Sequence, residues 1–391
     1  MVLVNLNHKD PFLADKKIVV ALSGGIDSIV LLHYLNNHYP NQVRVIHCNH
    51  HISDLSNEWQ DFSKKLCEKL NLNINILDLD IPQSNNLEEA ARVKRYESLK
   101  ASINIDEIIC TAHHQNDQAE TLLIQLLRGS GSRGLSAMPK IKTFGKGLLY
   151  RPFIDIEKSE IRGYAIENHL DWIEDDSNND EKFTRNFLRH NILPQLEKLY
   201  PHVHKNIARA SKHQSELSKI SDDLAILDIE SLELLNNNRL QSNQLKKMVK
   251  YRLKNVLRYH LNQLNFRSPS EKVLEQMIQL VRAKADSVPV VSWSHYEVRR
   301  YQDELYFLDL SQSEDKDSCP FYEEFSSHPK FSIGYREDGL RVKFPGKEHS
   351  QSLKKVLQEK QIPTWERDKL RMYYVDGNLV AMEKVGYISL A

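Results

Sequence analysis

Across 391 residues, 53 basic and 53 acidic side chains cancel to a formal net charge of zero, and 40% of the residues are apolar. That length exceeds one ordinary core and predicts two or three domains, while the lack of an apolar run of about 18 residues, or of a basic N-terminal region followed by a long apolar stretch, argues against a membrane span and a secretory signal. The four cysteines, Cys48, Cys67, Cys110 and Cys319, are far apart and form no C-x-x-C pair, which argues against a disulfide framework, a zinc site and dithiol chemistry and predicts a reducing, cytoplasmic setting.

In chain order, Ile18-Val-Val-Ala-Leu22 is an apolar, β-branched run that predicts a buried strand, and Leu31, Leu32 and Leu35 beyond it recur at helical spacing. Between them stands Ser23-Gly24-Gly25-Ile26-Asp27-Ser28. Adjacent glycines let successive amide N–H groups converge on one anion, the Ser23 and Ser28 hydroxyls add donors, and the helix start adds unpaired amides and a positive dipole end. Such a turn could serve plain chain reversal, but Asp27 puts a carboxylate where phosphate oxygens would sit. A bare anion site would avoid it, whereas a nucleotide carrying Mg²⁺ uses it, because a hard cation bridges carboxylate to phosphate. No Lys-Ser or Lys-Thr pair follows the glycines, so this is not a Walker A loop. The six residues resemble the PP-loop of ATP pyrophosphatases, which adenylylate a substrate oxygen and release pyrophosphate.

Val43-Arg-Val-Ile-His-Cys predicts a second strand running into Asn49, His50 and His51, residues 59–70 a helix, Ile74-Asn-Ile-Leu-Asp-Leu a third strand and Glu107-Ile-Ile-Cys-Thr-Ala a fourth. Strands alternating with helices predict a parallel sheet whose ligands bind off the carboxyl ends of the strands. Asp27, His47, Asn49, His50 and His113 fall at such ends and are expected to share one crevice. Before the fourth strand, Asn86 reads as the N-cap of a helix, with Glu89 three residues on and Arg92 and Arg95 on neighbouring positions of one face, facing either a phosphate or solvent. After it, His113, Asp117 and Glu120 stand at i, i+4 and i+7, one polar face of a helix whose other side buries leucines. That trio could hold Mg²⁺, an amine or, less well, a transition metal. Arg128-Gly-Ser-Gly-Ser-Arg-Gly134 reads as a mobile lid over phosphates or an ordinary linker.

Further on, residues 205–235 are predicted helical and acidic, 244–264 a basic helix, Ser268-Pro-Ser-Glu a helix start, 288–310 a β-hairpin, 311–324 an acidic linker and 331–391 a small α+β module. Residues 241–300 hold twelve cations, Lys246, Lys247, Lys250 and Arg252 among them, against four acids. A surplus of eight suits a polyanion, or a solvated helical face.

Taken together, the PP-loop, the segment 86–96, the helix 113–121, Arg128-Gly-Ser-Gly, Arg151-Pro, and Glu174-Asp-Asp-Ser-Asn followed by Arg185-Asn186 and Arg189 resemble the tRNA(Ile)-lysidine synthases. Asp176 stands where that family usually has proline. Arg341-Val-Lys-Phe-Pro-Gly, Ser352-Leu-Lys-Lys and Ile362-Pro-Thr-Trp-Glu-Arg367 resemble the last domain of its longer members. The resemblance implies an α/β fold with three parts: a PP-loop domain over 1–205 with a parallel sheet and helices on both faces, a basic, mainly helical tRNA-binding domain over 206–310, and an α+β tRNA-binding domain over 325–391. It implies ATP and Mg²⁺ as cofactors, and free L-lysine and the CAU-anticodon isoleucine tRNA as substrates. Lysine is joined to C2 of the wobble cytidine through an adenylated tRNA, so that the codon read changes from AUG to AUA. No membrane partner is expected, and a homodimer stays open. Residues 23–28 would bind ATP, Asp27 Mg²⁺, Asp117 and Glu120 lysine, with Asp27 and Asp117 catalytic and His47, His50, Arg92, His113 and Arg128 close by. Lys246, Lys247, Lys250, Arg252, Lys354, Lys355 and Arg367 would meet RNA phosphates. The competing readings are another PP-loop tRNA enzyme, such as a thiolase relying on paired cysteines that are missing here, and a non-catalytic RNA-binding protein, which would have no use for Asp27, Asp117 and Glu120.

Overall fold

Strand β1 (Lys17–Leu22) sends alternate side chains into two different cores, which is why its sequence is apolar without interruption from Ile18 to Leu22. Ile18, Val20 and Leu22 pack with helix α1 (Ile26–His38), whereas Val19 joins Ile46, Leu99, Ile103, Ile109, Phe144 and Leu149 on the opposite face. These positions come from a computed structural model that describes residues 6, 8–53, 55–81, 87–174, 184–236, 239–283, 289–311, 320–347 and 349–390. The Asn86 cap, residues 175–178 of the Glu174 motif, Lys284, Asp286, Cys319 and the linker stretch 312–319 lie outside the described residues.

The chain divides into two units, Met1–Ser221 and Asp222–Ala391. In the first, β2 (Val43–Asn49) and β3 (Ile74–Asp78) extend the sheet on one side of β1, and β4 (Glu107–Cys110) and β6 (Gly147–Tyr150) extend it on the other, all parallel. β5 (Ile141–Phe144) closes the β6 edge as an antiparallel hairpin partner, giving the order β3-β2-β1-β4-β6-β5. Helices α2 (Ser56–Lys69), α3 (Leu87–Ala101) and α4 (Gln115–Leu127) connect the strands. The chain steps outward from β1 to β3 and then returns to the far side of β1 as β4. That reversal makes the carboxyl ends of β1 and β4 the topological switch point, where open α/β sheets bind ligands. The four strands predicted from sequence are present, with ends moved by a residue or two. The β5–β6 hairpin is additional: each strand has only four residues, and Gly147 is placed by a close approach that no local pattern shows, since a Cβ there would lie 2.2 Å from the Glu107 carbonyl oxygen.

The amino end of the sheet is closed by a bidentate pair. Arg44 Nε and one terminal nitrogen donate to Glu107 at 2.8 and 2.7 Å, and the Asn104 amide donates to the same carboxylate at 2.8 Å. The Arg44 hydrogen bonds outweigh desolvation and pull the Glu107 pKa from 4.5 to about 2. A carboxylate with a depressed folded pKa stabilises the fold fully above its unfolded pKa, and that contribution fades as pH falls from about 4.5 through about 2. Glu107→Gln is therefore expected to cost about 2 kcal/mol at neutral pH and to flatten the acid limb of a stability-against-pH curve in that window. A variant with an unchanged acid limb would contradict the pairing.

The second unit holds separate apolar clusters. Leu253, Val256, Leu257, Leu274, Met277 and Val281 on helices Lys250–Gln263 and Glu271–Arg282 pack with Val291, Val298 and Leu305. Those last three lie on a five-stranded antiparallel sheet that adds Leu235–Asn236 and Arg239–Gln241 to Val290–Trp293, Tyr296–Tyr301 and Glu304–Asp309. The predicted hairpin is thus a three-stranded meander inside a larger sheet. The predicted basic helix is interrupted, Ser242–Leu245 stopping short of Lys250–Gln263, because buried Met248 and extended Val249 intervene. Beyond residue 330, Val342, Leu353, Val356, Leu357, Met372 and Met382 form the centre of a small α+β module of short antiparallel strands. No helix among the described residues is long and apolar enough to cross a membrane.

Candidate active site

The loop after β1 owes its shape to Gly24 and Ser28. Gly24 has φ +89, and a Cβ there would come within 3.1 Å of the Ile173 side chain, whose own amide donates to the Gly24 carbonyl at 3.0 Å. The Ser28 hydroxyl donates to the Gly25 carbonyl at 2.9 Å and accepts from the Ser23 amide at 3.2 Å and the Ser23 hydroxyl at 3.1 Å. Of the two hydroxyls expected to face phosphate, only that of Ser23 is exposed; Ser28 is buried and shapes the loop. Helix α1 begins at Ile26, so the Ile26 and Asp27 amides have no partner within it and point, with the dipole, at whatever fills the loop.

Asp27 opens toward α4. Its Oδ2 lies 3.6 Å from Nε2 of His114, which is 2% exposed, while its Oδ1 is buried with no hydrogen-bond partner among the described residues. His114 is the N-cap of α4: its Nδ1 accepts from the Asp117 amide at 3.4 Å and its own amide donates to Asp117 Oδ2 at 3.0 Å. Burial works against the charged imidazole, but the Asp117 and Asp27 carboxylates prevail and raise the His114 pKa. One histidine thus joins the two acids across the switch point.

Two arginines hold the next turn. Glu120 is 1% exposed; Arg185 Nε donates to its Oε2 at 2.6 Å and Arg189 Nε to its Oε1 at 2.7 Å. Both guanidinium groups also reach Asp117 Oδ1, at 3.2 and 3.5 Å. Burial alone would raise the Asp117 pKa, yet His114, Arg185 and His113 together hold it well below the usual carboxylate range. Neither arginine nor His114 stood among the site residues expected from sequence. The available signals were the i, i+4 spacing of Arg185 and Arg189 and the need of two buried acids for cations.

Several expected residues stand elsewhere. The helix starts at Gln115, so His113 is not on the helical face of Asp117 and Glu120 but precedes it, with Nδ1 2.9 Å from the Thr111 hydroxyl. Desolvation pushes its pKa down to about 3, with Arg151, Arg185 and Arg95 adding to the effect against Asp117. His47 is buried behind the loop, Nδ1 3.0 Å from the Leu22 carbonyl oxygen, and burial lowers its pKa. His50 lines an open cleft of about 570 Å³ with Asp78, Asp80 and Leu87, off the ends of β2 and β3. The segment expected as a lid or a linker forms a turn: Gly129, at φ +70, ends α4, Ser130 donates to Gln125 at 2.7 Å, and a short helix Ser132–Leu135 follows. Arg128 and Arg92 are exposed.

Among the expected RNA contacts, Lys246 and Lys247 are exposed, Lys250 pairs with Glu275 at 2.8 Å, and Arg252 is committed to Asp228, a carboxylate 1% exposed. Lys354 lines a cleft of about 410 Å³ with Arg336, Thr364 and Asp368, and Lys355 pairs with Glu359. Arg367 is turned inward, donating to the Ile362 carbonyl at 2.8 Å. No group of three or more His, Cys, Asp and Glu side chains among the described residues is set to hold a metal.

Residues 3–196 match the PP-loop domain family, 240–306 the TilS substrate binding domain and 331–388 the TilS substrate C-terminal domain. Three proteins named tRNA(Ile)-lysidine synthase match along nearly the whole chain. That of Legionella pneumophila strain Paris is 36% identical over 95% of this chain and 91% of its own, that of Coxiella burnetii strain RSA 493 is 32% identical over 96% and 89%, and that of Nitrosomonas europaea is 35% identical over 95% and 88%. Among solved structures, a U34-tRNA thiolase from Methanococcus maripaludis overlaps 52% of this chain and 72% of its own at 20% identity, with a TM-score of 0.43.

Proposed function

This chain belongs to the tRNA(Ile)-lysidine synthases, and we propose that its reaction runs at the β1–β4 switch point, with Asp27 as the Mg²⁺ ligand and Asp117 as the anchor for the amine of free lysine. The enzyme is an ATP-dependent ligase acting on tRNA. The observation that carries the placement is the buried, unpartnered Oδ1 of Asp27 beside a loop built for phosphate. Orphaned carboxylate oxygen is costly unless a cation takes it up, and Mg²⁺ is commonly held by one or two carboxylates together with substrate phosphates and water, so the absence of a full protein cage fits. When bound, Mg²⁺ neutralises charge on the leaving pyrophosphate.

In the first half-reaction the C2 oxygen of the wobble cytidine attacks the α-phosphorus of ATP, the bridging α–β P–O bond breaks, and pyrophosphate leaves against the loop amides and the Ser23 hydroxyl. In the second, the lysine ε-amine attacks C2, the C–O bond breaks, and AMP departs. Asp117, held ionised, attracts the ammonium; being so weak a base, it orients the amine, which gives one proton to solvent water before it attacks C2 and a second as AMP departs. Neutral His113 offers a nitrogen to the same group. Glu120, with both oxygens on guanidinium groups, holds Arg185 and Arg189 in place, and those half-exposed cations suit the lysine α-carboxylate. His50 and Arg128 border the route by which the RNA arrives. Residues 1–205 form the catalytic part in this scheme, with 206–310 and 325–391 holding the tRNA through exposed cations such as Lys246, Lys247 and Lys354.

Measuring both half-reactions tests the assignment. Asp117→Asn is expected to leave adenylated tRNA formation within a few-fold of wild type and to slow its conversion by lysine by roughly 10²-fold, the scale of one lost positioning interaction. Loss of the first step in that variant would move Asp117 to the metal. Pyrophosphate release that needs neither tRNA nor lysine would overturn the whole scheme.

A further inference from the structure

Tyr96 on α3 is ringed by cations that the reaction chemistry does not use. The guanidinium carbons of Arg92 and Arg95 lie 5.8 and 5.9 Å from its ring centre, and Lys142 Nζ, reaching over from β5, lies 5.5 Å away. Lys142 and Lys100 also stand 5.9 and 6.0 Å from the neighbouring Phe144 ring. Arg151, 3% exposed at the carboxyl end of β6, donates to the Pro139 carbonyl at 2.6 Å and leaves its Nε buried without a partner among the described residues, and the charge of Arg92 adds to burial in lowering its pKa while Tyr96 opposes them. Among the described residues, the only ion pair in this group is a 3.5 Å contact from Arg92 to Glu89, and Arg95, Lys100 and Lys142 form none there. Partial desolvation and then the charges of Arg151, Lys100 and Arg92 lower the Lys142 pKa, so the cations feel one another. The cluster also reaches the crevice, since Arg151 and Arg95 both act on His113.

We infer that Arg92, Arg95 and Lys142, backed by buried Arg151 and arranged around Tyr96, form a second anion surface that receives backbone phosphates of the single-stranded anticodon loop. Like charges gathered at one ring repel; the ring's quadrupole offsets part of that, and an arriving anion offsets the rest. The PP-loop already supplies amides, a helix start and a hydroxyl for the phosphates of ATP. A half-exposed aromatic ring among flexible cations is instead the arrangement that binds single-stranded nucleic acid, where phosphates meet the charges and a base can lie on the ring. The surface rests on the family function and adds the place where the loop flanking the reacting cytidine is held.

The test uses the full-length protein, ATP, and an anticodon stem-loop RNA beside the complete tRNA. Lys142→Ala combined with Arg95→Gln is expected to weaken binding of both RNAs about 5–10-fold and to reduce the slope of log affinity against log salt by about 0.7 for each phosphate no longer neutralised. ATP affinity should stay within about two-fold, and Lys142→Arg should retain most RNA affinity. RNA affinity and salt slope equal to wild type would overturn the surface, as would weakened ATP binding with unchanged RNA binding, or a loss seen with complete tRNA and not with the stem-loop. Far-ultraviolet circular dichroism and the melting temperature verify that the variant is folded. Pyrophosphate release by wild type that depends on the same tRNA, followed by lysine-dependent release of AMP from that tRNA, checks the functional assignment separately: absence of either would overturn that assignment while the binding comparison still decides the surface.

Discussion

Asp27→Ala is expected to lower adenylylation of tRNA by about 10²–10³-fold while leaving the melting temperature close to that of wild type. Asp27 contributes little to the fold: among the described residues its Oδ1 has no partner, and its Oδ2 meets His114 at 3.6 Å. Removing it even relieves a buried acceptor. What disappears is the oxygen that would hold a cation against the departing pyrophosphate, an interaction that grows as the α–β bond breaks and therefore acts on the rate more than on ground-state binding. ATP should still bind weakly through the loop amides. Transfer of AMP to tRNA at a wild-type rate would remove the metal role, and so would a variant that loses ATP binding and activity in equal measure.

Glu120→Ala should behave in the opposite way. The carboxylate is 1% exposed and accepts from two arginines. Deleting one partner of a buried pair leaves the other charges uncompensated, which typically costs 3–5 kcal/mol. Because Arg185 and Arg189 keep 31% and 26% of their side-chain exposure and can turn toward water, about 2–3 kcal/mol is expected here. That loss should appear as a fall of several degrees in the melting temperature without any substrate present, together with slower use of lysine once the arginines turn away. Were Glu120 instead a direct lysine contact, the substrate-free stability would hardly change and only the KM for lysine would rise. Pairing the substitution with Arg189→Ala in a double-mutant cycle isolates the coupling.

The strand, loop and helix of residues 17–38 were legible in sequence because everything that shapes them is local: an apolar run, two glycines, then apolar residues at helical spacing. The role of Ser28 was not, since its hydroxyl turns inward only once the loop has closed around it. The positions of Asp117 and Glu120 on one helix could be read from spacing, but what they meet could not, because Arg185 and Arg189 come 65 to 72 residues later and are brought back by tertiary packing. The same holds for Arg252, expected at RNA, whose pairing with Asp228, 24 residues earlier, no local charge count shows. Charge surplus is a property of sequence; charge availability is a property of pairing. His114 escaped notice for a related reason. A histidine rarely caps a helix, and the two acids it bridges lie in the first turns of two different helices, α1 and α4.

Gly24 meets two separate demands, a positive φ and the nearness of Ile173. Substituting Ile173 by a smaller residue would open space but leave the backbone angle unsuitable for a side chain, and a relaxed angle would still drive that side chain into Ile173. A replacement at Gly24 therefore meets two separate costs, about 1–2 kcal/mol for an L side chain at positive φ and a shift of a few tenths of an ångström in Ile173, and a second-site change that relieves one leaves the other in place.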